Sequence, residues 1–184
     1  APLGRARVRH HLGICSRLLQ KYRALRGWRR LHGVGMGIDP ELLREVMQNA
    51  VPFNRFLGMQ FEVAERGYCR IRVPFREDFI GDPTRPALHG GLAATLADVA
   101  GGLAVWTYAD DPRSRVSTID MRIDYLRPGR LIDLYAEARV VRVGSRVGVA
   151  DMFVFHADAP TEYVATGKGV YNIVLPREKT VDNL

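Results

Sequence analysis

The chain has 184 residues, 47% of them hydrophobic, which is one domain with a full core and excludes a disordered chain. No run nears the ~18 apolar residues of a membrane span, so a soluble, cytoplasmic protein without a membrane partner is expected. The two cysteines, Cys15 and Cys69, lie far apart and outside any CxxC spacing, which argues against a disulfide framework or structural zinc. Cys69 reads as a small buried hydrophobe, and no metal site is expected.

The net charge of +7 is uneven. Residues 1–35 carry nine Arg and Lys and no acid, leaving 18 basic against 20 acidic groups over residues 36–184. The basicity therefore belongs to an N-terminal arm. Its composition fits an organellar transit peptide, or an arm for nucleic acid or a membrane surface. Leu12, Leu18, Leu19, Tyr22 and Leu25 could line a short amphipathic helix. The plainer reading is a flexible extension without function over residues 1–35. Residues 36–184 then form the domain, beginning at Met36 and "GIDPELLREVM". No nucleic-acid partner is expected.

Asp39 followed by Pro40 is an N-cap and first-turn signature, with Leu42, Leu43, Val46 and Met47 as an apolar stripe to about Asn49. "MQFEVAERGYCRIRVPF" alternates around Arg66-Gly67 and predicts a hairpin. Residues 76–88 are turn-rich, with Gly81, Asp82, Pro83 and Pro86. "ALHGGLAATLADVAGG" opens a long helix running to Trp106. Alternating runs follow at 115–126, 131–143, 146–157 and 163–174. One long helix among about six strands predicts an α+β domain with a curved antiparallel sheet wrapped on the helix.

That helix is apolar nearly all round, with Leu92, Leu96, Val99 and Leu103 on one face. Asp98 lies off this stripe, and burying an unpaired carboxylate costs several kcal/mol. Its helical neighbours, Ala94, Thr95, Gly101 and Gly102, are all small. Two interior glycines cost about 1 kcal/mol each relative to alanine, so room for another chain or a ligand beside the carboxylate is expected. His89-Gly90-Gly91 sits where the helix begins, among unpaired N–H groups that could polarise a carbonyl oxygen. Seven residues separate Gly91 from Asp98, so both point the same way within about 20°. The segment thus offers an oxyanion site and a carboxylate able to attack, or to deprotonate water.

"LHGGLAATLAD", "STIDMRIDYLRP" and "VVRVGSR" together resemble the hotdog-fold acyl-CoA thioesterases of the PaaI-like group, over about residues 39–175. The resemblance implies a hotdog fold and hydrolysis of an acyl-CoA thioester. It implies a homodimer with shared active sites, paired into a homotetramer, and no cofactor beyond the CoA of the substrate. Carried over, Asp98 is the general base or nucleophile, and the Gly91 N–H polarises the carbonyl. His89 and Gly90 shape the loop. Thr118 orients the water, or the carboxylate from the other subunit. Gly144, Ser145 and Arg146 meet the CoA phosphates, with Arg127 and Arg130 as weaker candidates. Many family members place an Asn six residues before the His. Here Pro83 stands there, with Asp82 beside it as a partial substitute. The rival reading is a hotdog module that holds acyl-CoA without cleaving it. His156 and Asp158 read as surface residues, Asp120 and Asp124 as one solvent or interface strand face, and Trp106 and Tyr108 as core or pocket lining.

Overall fold

The structure is a computed structural model and describes residues 40–109, 111 and 114–175. The basic arm and the Asp39 cap lie outside the described residues. Helix α1 (Pro40–Glu45) runs into a π-turn over Val46–Ala50. Pro52 then starts a second short helix, α2 (Pro52–Leu57), which the sequence reading does not anticipate. Proline suits that first position because its φ is already helical. Gly58, at φ 70°, ends the helix in the left-handed conformation that glycine adopts freely.

The hairpin forms as expected, from β1 (Gln60–Glu65) and β2 (Tyr68–Val73) about Arg66-Gly67. Residues 76–88 hold more order than their turn residues suggest. A short 3-10 turn, Glu77–Phe79, leads into a small ladder of β3 (Ile80–Asp82) and β4 (Ala87–Leu88). Helix α3 (Gly90–Trp106) follows, then β5 (Arg115–Tyr125), β6 (Leu134–Val143), β7 (Val147–Phe155) and β8 (Ala165–Val174). Six strands form one antiparallel sheet in the order β1-β2-β6-β7-β8-β5. This is the hotdog architecture: one long helix held against a six-stranded sheet. Among the described residues no helix is long and apolar enough to cross a membrane.

Period-two alternation puts Cys69, Ile71, Val73, Ala136, Ala138, Ala150, Met152 and Val154 on the inner face, all fully buried. Cys69 is the small buried hydrophobe expected of it, and burial pushes its thiol pKa up. Against this face α3 lays Leu92, Ala93, Leu96, Ala97, Ala100, Leu103 and Ala104. A fully buried leucine contributes about 1.5–3 kcal/mol. The buried arc is turned slightly from the stripe read in the sequence, since Val99 is only half-buried. The opposite side of α3, with Gly91, Ala94, Thr95 and Asp98, is left open by the chain's own sheet.

The room beside Gly101 is filled by the chain's own Tyr171. A Cβ at Gly101 would stand 2.1 Å from the Tyr171 Oη and 2.8 Å from the Met152 Sδ. Gly102 lies against the same ring, at 3.4 Å. Tyr171 rises from β8 into this gap and donates to the Asp98 backbone carbonyl at 3.2 Å. Burial, and then the Asp98 charge, push its hydroxyl pKa up.

His156 is also placed differently from its surface reading. It is 3% exposed. Its Nε2 accepts from the Arg130 N–H at 3.0 Å, and its Nδ1 lies 2.9 Å from the Asp133 carbonyl. That pairing defines a neutral ring protonated on Nδ1, pinning the loop between β5 and β6. Asp158 is exposed as expected and pairs with Arg130.

Gly101→Ala tests the glycine gap. Overpacking against Tyr171 should outweigh the gain in helix propensity and cost about 1–3 kcal/mol. Calorimetry should show a Tm several degrees lower; an unchanged Tm would mean that Tyr171 yields freely.

Candidate active site

His89 caps α3. Its backbone is extended (φ −63°, ψ 129°), and its Nδ1 accepts the Gly91 N–H at 2.9 Å. The ring proton must therefore sit on Nε2. Gly81 of β3 backs the residue, since a Cβ there would meet the His89 Cα at 2.7 Å. The β3–β4 ladder thus holds the loop that enters the helix. The N–H expected to polarise a carbonyl is thus occupied by the His89 ring nitrogen.

Asp98 lies two turns on, half-buried on the open side of α3. Thr118 donates its hydroxyl to Asp98 Oδ1 at 2.7 Å, a charge-assisted bond made within one chain. Regular alternation would not bring Thr118 there together with Met121 and Ile123. The register of β5 against β8 slips between Thr118 and Asp120, a bulge that reverses the parity of the strand. Val116 and Thr118 before the slip, and Met121 and Ile123 after it, all face inward. Ile119 is left exposed, and Asp120 faces out.

Two clefts meet at His89. One, of about 390 Å³, is lined by Leu88, His89, Gly90, Tyr125, Arg127 and Gly129 among others. Tyr125 folds over the helix start and donates to the Gly90 carbonyl at 3.1 Å, and Arg127 pairs with Glu162 at 2.6 Å. The other, of about 260 Å³, is lined by Phe53, Phe56, Phe79, Leu92 and Arg76, and reaches Gly91 and Thr95. The sequence reading gives neither Tyr125 nor this aromatic group a place in the site. Tyr125 stands inside the quoted "DYLRP", but its reach to Gly90 spans 35 residues and leaves no local pattern.

Not every expected residue converges. Gly144, Ser145 and Arg146 form the turn between β6 and β7. A Cβ on neighbouring Gly148 would meet Val105, so the turn lies by the far end of α3. Along the helix that is about 20 Å from Gly91. Asp82 is turned into its own loop, accepting from the Thr84 N–H, the Thr84 hydroxyl and the Arg85 N–H. Those Thr84 bonds hold its pKa below the usual carboxylate range. In that geometry it does not face the helix start. Among the described residues no group of three or more His, Cys, Asp or Glu could hold a metal ion.

The family model of the thioesterase superfamily matches residues 86–162, from before the helix cap to beyond β7. The medium/long-chain acyl-CoA thioesterase YigI of Escherichia coli is 32% identical over 145 residues, covering 72% of this chain and 92% of that protein. A Shewanella oneidensis structure related to the thioesterase superfamily is 31% identical, with a TM-score of 0.64, covering 72% of this chain and 93% of that one. Thioesterase HI1161 of Haemophilus influenzae, 19% identical, shares the fold with a TM-score of 0.65 over 78% of this chain and 95% of that one. The chain belongs to the thioesterase superfamily and is a thioester hydrolase.

Thr118→Val removes one hydroxyl donor at constant shape. A hydrogen bond to a charged group contributes about 1.5–3 kcal/mol, so kcat should fall about 10- to 100-fold with KM little changed. Steady-state kinetics would show this, and an unaltered kcat would reduce Thr118 to a bystander.

Proposed function

We propose that the protein hydrolyses acyl-CoA to free acid and CoA, with Asp98 as the general base. The observation that carries this is the Asp98 carboxylate itself. It is held by Thr118 on the open side of α3, in line with the capped helix start. Asp98 takes a proton from water, and the hydroxide formed attacks the thioester carbonyl carbon. The oxygen, becoming an oxyanion, is stabilised by the Gly91 N–H once His89 releases it. Collapse breaks the C–S bond, and the thiolate leaves with the proton returned from Asp98. The clefts on either side of His89 accept the two halves of the substrate. Arg127 stands in one, within reach of the pantetheine side; Gly144, Ser145 and Arg146 could meet the CoA phosphates only from a second copy or at a distance. The YigI relative, by its name, acts on medium and long chains, which supports an acyl-CoA substrate.

One chain does not complete this site. Gly91 and Asp98 lie about 10 Å apart along the helix, whereas attack needs the reacting atoms within about 3–3.5 Å. Two copies with antiparallel helices would bring Asp98 of one to the helix start of the other. Strand β5 is the edge for that pairing. It is 11 residues long, with Ile119 and Tyr125 more than half exposed. A long, exposed edge invites another strand. A homodimer with two shared sites follows, and pairing of dimers gives the tetramer.

Two measurements test the reading. CoA release from a panel of acyl-CoAs, followed with a thiol-reactive dye, should fall about 100-fold or more in Asp98→Asn with the fold intact by circular dichroism. Full activity in that variant would refute the role of Asp98, and binding without CoA release in the wild type would favour the non-catalytic module. Sedimentation velocity should show no monomer at micromolar concentration; a monomer that still turns over would refute the shared site.

A further inference from the structure

The aromatic cleft holds a cation that the mechanism does not use. The Arg76 guanidinium lies between two rings, 4.4 Å from the Phe79 centroid and 5.6 Å from that of Phe56. Its Nε is buried and has no hydrogen-bond partner. Arg70, Arg72, Arg127 and Arg130 all rest against carboxylates. Among the described residues no carboxylate lies within ion-pair distance of Arg76, although Asp78 lines the same cleft. Cation–π contacts hold the group in place but leave the buried Nε–H without an acceptor. A half-buried donor set of this kind is most stable when an anion arrives.

The cleft begins at the reacting end of the proposed site. Its lining includes His89, Gly91 and Thr95, and its walls are Phe53, Phe56, Leu57 and Leu92. Phe53 and Phe56 are 55% and 66% exposed, stacked as an apolar lip with centroids 6.4 Å apart. An acyl chain whose carbonyl sits at the helix start would enter along these walls and meet Arg76.

We propose that this cleft is the acyl subsite and that Arg76 selects acyl groups ending in a carboxylate, as in the half-thioester of a dicarboxylic acid. The inference rests on the thioesterase reading above. Its chemistry is charge complementarity. A terminal methyl would leave Arg76 without an acceptor, and a terminal carboxylate makes a charge-assisted pair in a partly desolvated site.

The test compares hexanoyl-CoA with adipoyl-CoA, equal in chain length and different in terminal charge. The proteins are the wild-type full chain, Arg76→Met and Arg76→Lys. Wild type should take adipoyl-CoA at least as well as hexanoyl-CoA. Arg76→Met, which keeps the apolar stem, should raise KM for adipoyl-CoA about tenfold or more and leave hexanoyl-CoA within about twofold. Arg76→Lys should restore part of the loss. Wild type that cleaves hexanoyl-CoA and rejects adipoyl-CoA would overturn the proposal. So would equal losses on both substrates, whether from a damaged fold or, if S-acyl pantetheine is spared, from a lost contact with the CoA phosphates. If wild type cleaves neither, the acyl-CoA panel and Asp98→Asn above decide the thioesterase reading, and calorimetric binding of these two decides the role of Arg76. A preference for adipoyl-CoA that vanishes in Arg76→Met upholds it; equal affinities overturn it.

Discussion

Everything in this protein depends on how closely helix α3 lies on its sheet. Both surfaces are built from small residues where they meet: Ala93, Ala97, Ala100 and Ala104 on the helix, Ala136, Ala138, Ala150 and Ala165 on the strands. Small side chains let the backbones approach, and dense packing then leaves little slack. The Tyr171 ring fills the gap beside Gly101, and it fits because Gly101 carries no Cβ. Its hydroxyl donates to the backbone carbonyl of Asp98.

That close seating divides the helix into two sides with opposite demands. The sheet side wants apolar volume. The open side can carry a carboxylate because the chain's own sheet does not cover it. Asp98 is therefore not an ion forced into a core. It is a half-exposed group held by one hydroxyl, on a helix whose other face is fully committed to packing. The side that bears Gly91 and Asp98 is the one the chain's own sheet leaves open, next to the long edge of β5.

Local devices then aim the groups. His89 caps the helix and occupies the Gly91 N–H. The slip in β5 reverses the parity of the strand, so that Thr118 reaches Asp98 while Met121 and Ile123 still enter the core. Without that slip, the inward positions would fall to Asp120 and Arg122. A bulge next to a working side chain is a common way to re-aim it.

The sequence by itself determined the order of elements and most of their boundaries, and it singled out His89 and Asp98 as candidate site residues. These are local signals: alternation in the strands, Gly and Pro at the breaks, a capping residue before two glycines, and one acid in an apolar helix. The family resemblance rested on the helix stretch together with "STIDMRIDYLRP" and "VVRVGSR". Tertiary structure alone decided what fills the space at Gly101, which way Thr118 points, that His156 is buried, that Asp82 serves its own turn, and that the Gly144–Arg146 turn lies by the far end of α3. It also gathered Arg76, Phe56 and Phe79 into one cleft with Gly91. Each of these depends on residues brought together from distant parts of the chain, or on a one-residue slip in register, and neither leaves a periodic trace in the sequence.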